Sequence, residues 1–326
     1  MKTRAIALTS ALALTAVMAG PVLAQDEMAG PEAFGDDADI YVPIVSKGFQ
    51  HQFWQAVRSG AEAKAEELNM TVNFDGPPSE SDVAIQVDML EAEYQRNPDA
   101  VCFAALDTQA ALPTLEKLAA DGIPVIAFDS GVDGDIPITT AATDNVAAAA
   151  LAADKMAEAI GGAGKVGVIV HDSTSRTGID RRDGFLNRVA EAYPEIEIIG
   201  PDYGAGEHQK STDIALGMLT ANPDMAGFFG ANEGSAVGVI NAVDQLALED
   251  LVVIGYDSGQ FQIDAINSGL MLGAVQQNPV GIGAKCVEAA AMALQGMDVP
   301  KIIDTGFLWA DAATMEDPDV MAVLYN

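Results

Sequence analysis

The chain has 326 residues, of which 49% are hydrophobic and 20% are charged. Acidic side chains outnumber basic ones by 48 to 16, so the formal net charge is −32 at pH 7. Such a charge repels phosphate backbones and anionic lipid headgroups, which excludes a nucleic-acid partner bound through counterion release. The length is ample for two compact lobes.

The N-terminus has the features of a cleaved secretory signal peptide spanning residues 1–24. Lys2 and Arg4 give it a basic start, Ala5–Ala19 is apolar, and Val22-Leu23-Ala24 precedes the predicted cleavage site. No later apolar run is long enough to span a membrane. We therefore expect a soluble, exported protein that begins with an acidic linker over residues 25–38.

The sequence contains two cysteines, Cys102 and Cys286. An oxidising compartment would allow one disulfide between them. However, Cys102 lies in an apolar run and Cys286 in an alanine-rich helical stretch, where a thiol usually packs as a small hydrophobe. These surroundings favour two free, buried thiols over a bridge.

From about Asp39, short β-rich runs alternate with longer segments of helical spacing, such as Phe53–Asn69 and Phe185–Ala192. This alternation is typical of an α/β protein with a parallel sheet covered by helices. The predicted strands are Ile40–Val45, Thr71–Phe74, Ala100–Ala104, Pro124–Phe128, Lys165–Val170, Glu197–Gly200, Ala226–Gly230 and Leu251–Tyr256.

Two parts of the chain repeat the same order of elements. Asn97-Pro98-Asp99 leads into a strand, a polar loop, a helix and a second strand that ends at Phe128-Asp129-Ser130. Asn222-Pro223-Asp224 leads into the same series, which ends at Tyr256-Asp257-Ser258. We therefore predict two similar, doubly wound parallel-sheet lobes instead of one long sheet.

Polar residues follow the predicted strands in both halves, where ligands of open α/β sheets bind. They are Ser46 to Trp54, Asp129, Ser130, Arg181, Asn232 and Asp257. Carboxylate, guanidinium and amide groups together match the mixed donors and acceptors of a polyhydroxyl compound. Phe49, Phe53 and Trp54 offer flat surface to a sugar ring or, alternatively, fill the core. Asp129 and Asp257 have helix N-capping as an alternative role.

Motifs for catalysis, nucleotide binding and metal binding lack their required context. Gly162–Gly167 follows a predicted helix and opens a strand, which is the reverse of a dinucleotide site. The histidines, His51, His171 and His208, have no metal-ligand spacing and no cysteine partners. No nucleophile and base form a recognisable pair. We therefore expect no enzyme activity, no cofactor and no metal site.

A family resemblance rests on several short motifs between about Asp39 and Pro300. They are Phe53-Trp54-Gln55-Ala56-Val57, Ala127-Phe128-Asp129, Thr143-Asp144-Asn145, Arg181-Arg182-Asp183-Gly184-Phe185, Asn232-Glu233, Gly255-Tyr256-Asp257 and Gln277. Together they resemble the sugar-binding solute-binding proteins of bacterial ABC transporters, the ribose-binding-like group of type I periplasmic binding proteins.

The resemblance implies a periplasmic monomer whose two lobes close over a ligand about a three-strand hinge, with crossings near Thr143, Asn278 and Thr305. The lobes then comprise residues 39–143 with 278–304, and residues 144–277 with 305–326. The ligand-binding positions carried over from the family are His51, Phe53, Trp54, Asp129, Arg181, Asn232, Asp257 and Gln277. Of these, Gln277 comes from the resemblance alone.

The chain departs from the family pattern at positions that affect which substrate it binds. Ser130 stands where ribose binders place an arginine, which argues against ribose. Lys47 and the Phe74–Pro77 stretch resemble the rhamnose-binding and autoinducer-2-binding subgroup, in which a lysine at the position of Lys47 reaches the ligand. Arg181 and Asn232 resemble the ordinary sugar binders. We therefore add Lys47 and Ser130 to the predicted ligand-binding residues.

The sequence predicts a periplasmic solute-binding protein that captures a monosaccharide or polyol and delivers it to an ABC transporter permease. The alternative is a receptor for autoinducer-2 or a sugar that feeds a chemoreceptor or another signalling partner. A sugar-responsive transcription regulator would need a basic DNA-binding head at the N-terminus, where this chain has the predicted signal peptide.

Overall fold

The computed structural model describes residues 30–325. The predicted signal peptide lies outside these residues, as do residues 25–29 of the predicted acidic linker. In the described part of the chain, no helix combines the length and the apolar character needed to cross a lipid bilayer.

The described residues form alternating strands and helices. The strands are β1 (Tyr41–Val45), β2 (Thr71–Asp75), β3 (Val101–Phe103), β4 (Val125–Phe128), β5 (Thr139–Ala142), β6 (Gly164–Val170), β7 (Ile196–Tyr203), β8 (Met225–Gly230), β9 (Val252–Tyr256), β10 (Gly273–Gln277), β11 (Ile302–Asp304) and β12 (Phe307–Asp311). The helices are α1 (Gln52–Glu67), α2 (Val83–Tyr94), α3 (Leu112–Ala120), α4 (Asn145–Ile160), α5 (Arg176–Ala192), α6 (His208–Ala221), α7 (Glu233–Leu246), α8 (Gln260–Ser268), α9 (Pro279–Leu294) and α10 (Pro318–Met321). Each predicted strand is present, with its ends shifted by up to a few residues.

The strands form two sheets of the same topology. The first has the order β11-β5-β4-β3-β1-β2 and the second the order β12-β10-β9-β8-β6-β7. The ladders are parallel except that β12 runs antiparallel to β10. In each sheet the strand order reverses beside the first strand of the lobe, as in doubly wound folds. The two α/β lobes predicted from the internal repeat are confirmed.

Helices cover both faces of each sheet, which is why the central strands are apolar throughout. In the first lobe, α1 and α9 pack on one face, while α2 and α3 pack on the other. In the second lobe, α4 and α5 cover one face, and α6, α7 and α8 the other. Helices α1 and α9 touch backbone to backbone, because a Cβ on Gly60 would overlap Val280 and one on Gly283 would overlap Val57.

Cys102 and Cys286 form a disulfide, so the prediction of free thiols is wrong. Cys102 lies on β3 and Cys286 on α9, the helix that packs over this part of the first sheet. Their Cα atoms are 6.2 Å apart although 184 positions separate them in sequence. The prediction that both cysteines are buried is correct. Burial alone does not distinguish free thiols from a disulfide, because two buried cysteines can lie side by side.

The chain passes from one lobe to the other three times, between β5 and α4, between β10 and α9, and between β11 and β12. Side chains cap the helices at two of these crossings: Asp144 accepts a hydrogen bond from the backbone of Ala147, and Asn278 accepts one from Gly281. The exact lobe boundaries given above stay our proposed division.

Candidate functional site

A buried cavity lies where the carboxyl ends of strands from the two lobes face each other. It is lined by Lys47, His51, Phe53, Trp54, Glu80, Asp129, His171, Arg181, Asn232, Glu233, Asp257 and Gln277. All the predicted ligand-binding residues except Ser130 are in this set. Ser130 is fully buried beside Asp129, and its backbone oxygen accepts a hydrogen bond from Ala105.

Asp129 and Asp257 occupy equivalent places at the ends of β4 and β9. Both have left-handed backbones, with φ of 53° and 74°, a conformation that non-glycine residues seldom adopt outside turns and functional sites. Each backbone N–H donates to the neighbouring strand, Asp129 to Ala141 and Asp257 to Val275. Neither aspartate caps a helix, because a strand follows β4 and Gly259 is the N-cap of α8. The backbone turns both carboxylates into the cavity.

Lys47 forms the cationic part of the first lobe's wall. Its Nζ donates to the hydroxyl of Thr177 on α5, 2.9 Å away, and lies 3.5 Å from Oδ2 of Asp129. Burial disfavours the charged amine, but the carboxylates of Asp129, Glu80 and Asp172 outweigh this effect and the pKa of Lys47 is raised. Lys47 is therefore a buried ammonium that touches the other lobe.

Glu80 is a cavity residue that the sequence analysis did not identify. Its Oε1 accepts a hydrogen bond of 2.7 Å from the indole Nε1 of Trp54. Burial opposes its ionisation, but Lys47 and His51 outweigh that effect, so the pKa of Glu80 is lowered. Glu80 therefore orients Trp54 and adds a negative charge beside Lys47.

The second lobe's wall is built on Arg181, which is 3% exposed. Its guanidinium donates to the backbone oxygen of Ala231 and to Oδ1 of Asn145, at 3.0 and 2.8 Å. The group stacks on the ring of Tyr256, 3.8 Å from the centroid, and lies 3.8 Å from Asp257 Oδ2. These contacts hold the guanidinium in one plane against the cavity.

The amide of Gln277 completes this wall. Its Nε2 donates to Oδ1 of Asp257 at 2.7 Å, and Oδ2 of the same aspartate accepts from the backbone N–H of Glu233 at 3.1 Å. Asn232 caps α7, because its Oδ1 accepts from Ser235 N. Because this oxygen faces the N-terminus of α7, the amide nitrogen of Asn232 points away from it.

Glu233 joins the two lobes. Its two carboxylate oxygens accept hydrogen bonds of 3.2 Å from the backbone N–H groups of Gln52 and Phe53, at the N-terminus of α1 in the other lobe. Negative charge is favourable at a helix N-terminus. Burial raises the pKa of Glu233 to about 7, against the lowering effect of His51.

Further contacts bridge the lobes outside the cavity. Arg176 on α5 forms an ion pair of 2.6 Å with Asp133 of the first lobe. The backbone N–H of Thr108 donates to the oxygen of Thr174 at 3.0 Å. Together with the contacts of Lys47 and Glu233, these bonds describe a closed arrangement of the lobes.

Several buried polar atoms of the cavity have no hydrogen-bond partner among residues 30–325. They are both ring nitrogens of His51, Oδ2 of Asp129, Nδ1 of His171 and Oε1 of Gln277. Leaving such a group unsatisfied costs about 1–3 kcal/mol. These atoms can donate to, or accept from, a molecule that carries several hydroxyl groups.

The aromatic residues divide between the two roles considered from sequence. Phe53 and Trp54 line the cavity and are also buried in the core of the first lobe. Trp54 packs edge-on against Phe53 and Phe128, with ring centroids 5.0 and 6.3 Å apart. Phe49 packs edge-on against Phe74 at 5.8 Å and does not line the cavity.

The cavity residues that the sequence analysis missed are Glu80, His171 and Glu233. His171 directly follows β6, so a complete application of the strand-end rule identifies it. Its Nε2 is within hydrogen-bond distance of the hydroxyls of Thr177 and Ser175, at 3.0 and 3.4 Å. Burial together with Lys47 and Arg181 lowers its pKa well below the usual value. The imidazole of His171 is therefore neutral and adds no positive charge to the cavity.

Comparison with known proteins supports a binding protein of this architecture. Residues 41–298 match the sequence profile of the periplasmic binding protein domain. The D-allose-binding periplasmic protein of Escherichia coli is 27% identical over 250 residues, which cover 74% of this chain and 80% of that protein. The ribose import binding protein of the same organism is 24% identical over 292 residues, covering 90% of this chain and 93% of that protein.

Solved structures agree with this result. An ABC transporter solute-binding protein from Agrobacterium vitis with bound D-fucose has a TM-score of 0.85 and 32% identity, covering 87% of this chain and 100% of that chain. Another from the same organism, with bound α-D-tagatopyranose, has a TM-score of 0.85 and 30% identity, covering 88% and 100%. These relatives are transport binding proteins and not enzymes, and they confirm the two-lobed fold. The match over residues 41–298 shows that the chain belongs to the periplasmic binding protein family.

Proposed function

We propose that this protein is a periplasmic solute-binding protein that captures one neutral monosaccharide or polyol in the cleft and delivers it to an ABC transporter permease. The observation that supports this most directly is the group of buried polar atoms without a hydrogen bond on His51, Asp129 and Gln277, which belong to both walls. The similar proteins named above are called allose-binding and ribose-binding, or contain fucose or tagatose.

The charge of the cavity narrows the ligand class. Four carboxyl groups line it, on Glu80, Asp129, Glu233 and Asp257, and two permanent cations face them, on Lys47 and Arg181. Burial raises the pKa of Asp129 and raises that of Glu233 to about 7, so Glu233 is only partly ionised at neutral pH. The remaining carboxylates still offset both cations, which leaves no surplus positive charge to bind uronic acids or sugar phosphates.

Binding would act by a population shift between open and closed forms. A ligand that accepts bonds from Arg181 in one lobe and donates to Asp129 in the other binds the closed form more tightly, and so increases its population. The permease then recognises the outer surface of the closed form. A chemoreceptor could recognise the same surface, which leaves the sugar-receptor role as the alternative partner assignment.

A thermal-shift panel of purified protein tests the proposal. Neutral aldoses, deoxysugars, polyols and inositols should include one that stabilises the fold by roughly 4 kcal/mol at a thousand times its Kd. Matched uronic acids and sugar phosphates should have no effect. A response to the acidic sugars alone would contradict the neutral ligand class, and a response to autoinducer-2 alone would favour the signalling role.

A second measurement distinguishes cavity binding from adventitious binding. Asp129→Asn keeps the shape of the side chain but removes its charge, and it should weaken the identified sugar by about 10- to 100-fold, since bonds to charged groups contribute about 1.5–3 kcal/mol. Asp88→Asn, at an exposed position of α2 outside the cavity, is the matched control and should bind with wild-type affinity.

A further inference from the structure

The structure brings together two histidines and a glutamate that are far apart in sequence. Donor atoms of His51, His208 and Glu233 all lie within 4.8 Å of one another. His51 precedes α1 in the first lobe, while His208 and Glu233 are the first residues of α6 and α7 in the second. The histidine spacing gave no sign of this cluster, because the fold places it at the contact between the lobes.

His51 has ring nitrogens available for a ligand. The side chain is buried, 3% exposed, and neither Nδ1 nor Nε2 has a hydrogen-bond partner within the described chain. Nδ1 lies 3.9 Å from Oε1 of Glu233, and Nε2 lies 3.9 Å from Oε1 of Glu80. Both separations exceed a hydrogen bond. They leave the space between the imidazole and each carboxylate for a bridging atom.

The other two residues suit a metal ion that enters from solvent. His208 is exposed, and its ring lies 5.8 Å from the ring of His51, centroid to centroid. Glu233 is held in place by the backbone N–H groups of Gln52 and Phe53. Such outer hydrogen bonds orient a ligating carboxylate and strengthen metal sites.

The donor set itself indicates the kind of ion. Two imidazoles and one carboxylate are a known zinc ligand set that leaves a fourth position open for water. Donor atoms around a tetrahedral zinc with bonds of about 2.1 Å lie about 3.4 Å apart, so the observed spacing requires only a small movement. Rotation of the exposed His208 side chain brings its ring towards the other two donors, and the 3.9 Å between His51 and Glu233 must shorten by about 0.5 Å. Magnesium and calcium prefer sites built from oxygen ligands.

We propose that His51, His208 and Glu233 form a binding site for Zn²⁺ or a similar divalent transition-metal ion that connects the two lobes in the closed form. The ion has ligands in both lobes, so it binds the closed form more tightly than the open one. By linkage, closure and metal binding strengthen each other.

The site is tested by calorimetric titration of ZnCl₂ into metal-free protein. Excess Mg²⁺ is present in order to occupy surface sites that offer only oxygen ligands. Wild-type protein should bind one equivalent. His208→Ala should weaken binding by at least about 100-fold, since loss of even an outer-shell partner costs about 10- to 100-fold. Gln209→Ala, at the next exposed position of α6, is the matched control and should bind like wild type. No stoichiometric zinc binding, or equal binding by His208→Ala, would overturn the proposal.

Two further readouts separate this site from surface binding and from misfolding. Cobalt(II), used as a spectroscopic probe, should show the visible absorption of a tetrahedral complex with wild type but not with His208→Ala. The thermal unfolding of His208→Ala should match that of wild type, which shows that the variant is folded. In small-angle scattering, zinc should reduce the radius of gyration of wild type alone. Zinc binding without compaction would contradict the connection between lobes. His51 and Glu233 are shared with the sugar cavity, but these tests use no sugar, so failure of the zinc site is distinguishable from failure of the proposed transport function.

Discussion

The carboxylate of Glu233 in the second lobe accepts a hydrogen bond from the backbone N–H of Phe53 in the first, 3.2 Å across the cleft. Because Phe53 lies in the first turn of α1, the charge of Glu233 interacts with the positive end of that helix. The same residues line the cavity. Closure of the lobes and formation of the binding site are therefore coupled through one carboxylate.

Glu233→Gln should weaken sugar binding by about 5- to 30-fold, corresponding to the roughly 1–2 kcal/mol of a partly buried charge at a helix N-terminus. This holds at a pH above the Glu233 pKa of about 7, where the variant keeps an acceptor for α1 but loses the charge that stabilises the closed form. Calorimetry in the presence of EDTA measures this effect without metal. Glu249→Gln, an exposed position, serves as the control, and equal affinity of both variants would contradict the coupling.

Removal of the disulfide should lower stability without changing the site. The bridge between Cys102 and Cys286 spans 184 positions, and the chain-entropy model assigns such a cross-link up to about 5 kcal/mol. The double variant Cys102→Ala/Cys286→Ala should therefore unfold at lower denaturant concentration by about 2–5 kcal/mol. Its sugar affinity should equal that of wild type, because neither residue lines the cavity. Unchanged stability would show that the bridge does not form in the folded protein.

Trp54→Phe should impair binding through Glu80. The substitution keeps the aromatic surface but removes the indole N–H that donates to Glu80 at 2.7 Å, which leaves a buried carboxylate short of one donor. We expect sugar affinity to fall by about 5- to 100-fold, equivalent to 1–3 kcal/mol. Phe49→Leu removes an aromatic ring outside the cavity and should bind normally. Wild-type affinity in Trp54→Phe would show that the bond to Glu80 does not organise the site.

A pair of glycine substitutions tests the packing of α1 on α9. A Cβ at Gly283 would collide with the backbone of Val57, whereas one at Gly217 on α6 would meet nothing within 4 Å. Gly283→Ala should therefore lower the free energy of unfolding by about 1–3 kcal/mol. Gly217→Ala should raise it by up to about 1 kcal/mol, because alanine favours helix more than glycine does. Urea unfolding measures both, and the same sign for the two variants would contradict this account.

Sequence patterns predicted the parts of the fold that depend on local chemistry. The strands with runs of β-branched residues were found, and the strand-end rule correctly gathered Asp129, Arg181, Asn232 and Asp257 around one cavity. The missed strands are β5, β10, β11 and β12. Strand β5 consists of small residues, Thr-Thr-Ala-Ala, and β11 has only three residues, so neither gives a hydrophobic pattern of useful length.

The remaining features depend on long-range pairing, which one sequence does not display. The disulfide joins β3 to α9, and the zinc-ligand candidates lie on three separate segments of two lobes. Glu80 belongs to a loop after β2 and contacts Trp54 of α1 in the cavity. No local spacing identifies contacts of this kind.

The most direct test of the central claim is a calorimetric titration of the best neutral sugar from the panel into wild type and into Asp257→Asn. Asp257 accepts from Gln277 and Glu233 and lies beside Arg181, so it organises the second lobe's wall. We expect wild type to bind one sugar per chain. The affinity of Asp257→Asn should be lower by at least about tenfold, because hydrogen bonds to charged groups contribute about 1.5–3 kcal/mol. Equal affinity in the two proteins would place the sugar outside this cleft and contradict the assignment.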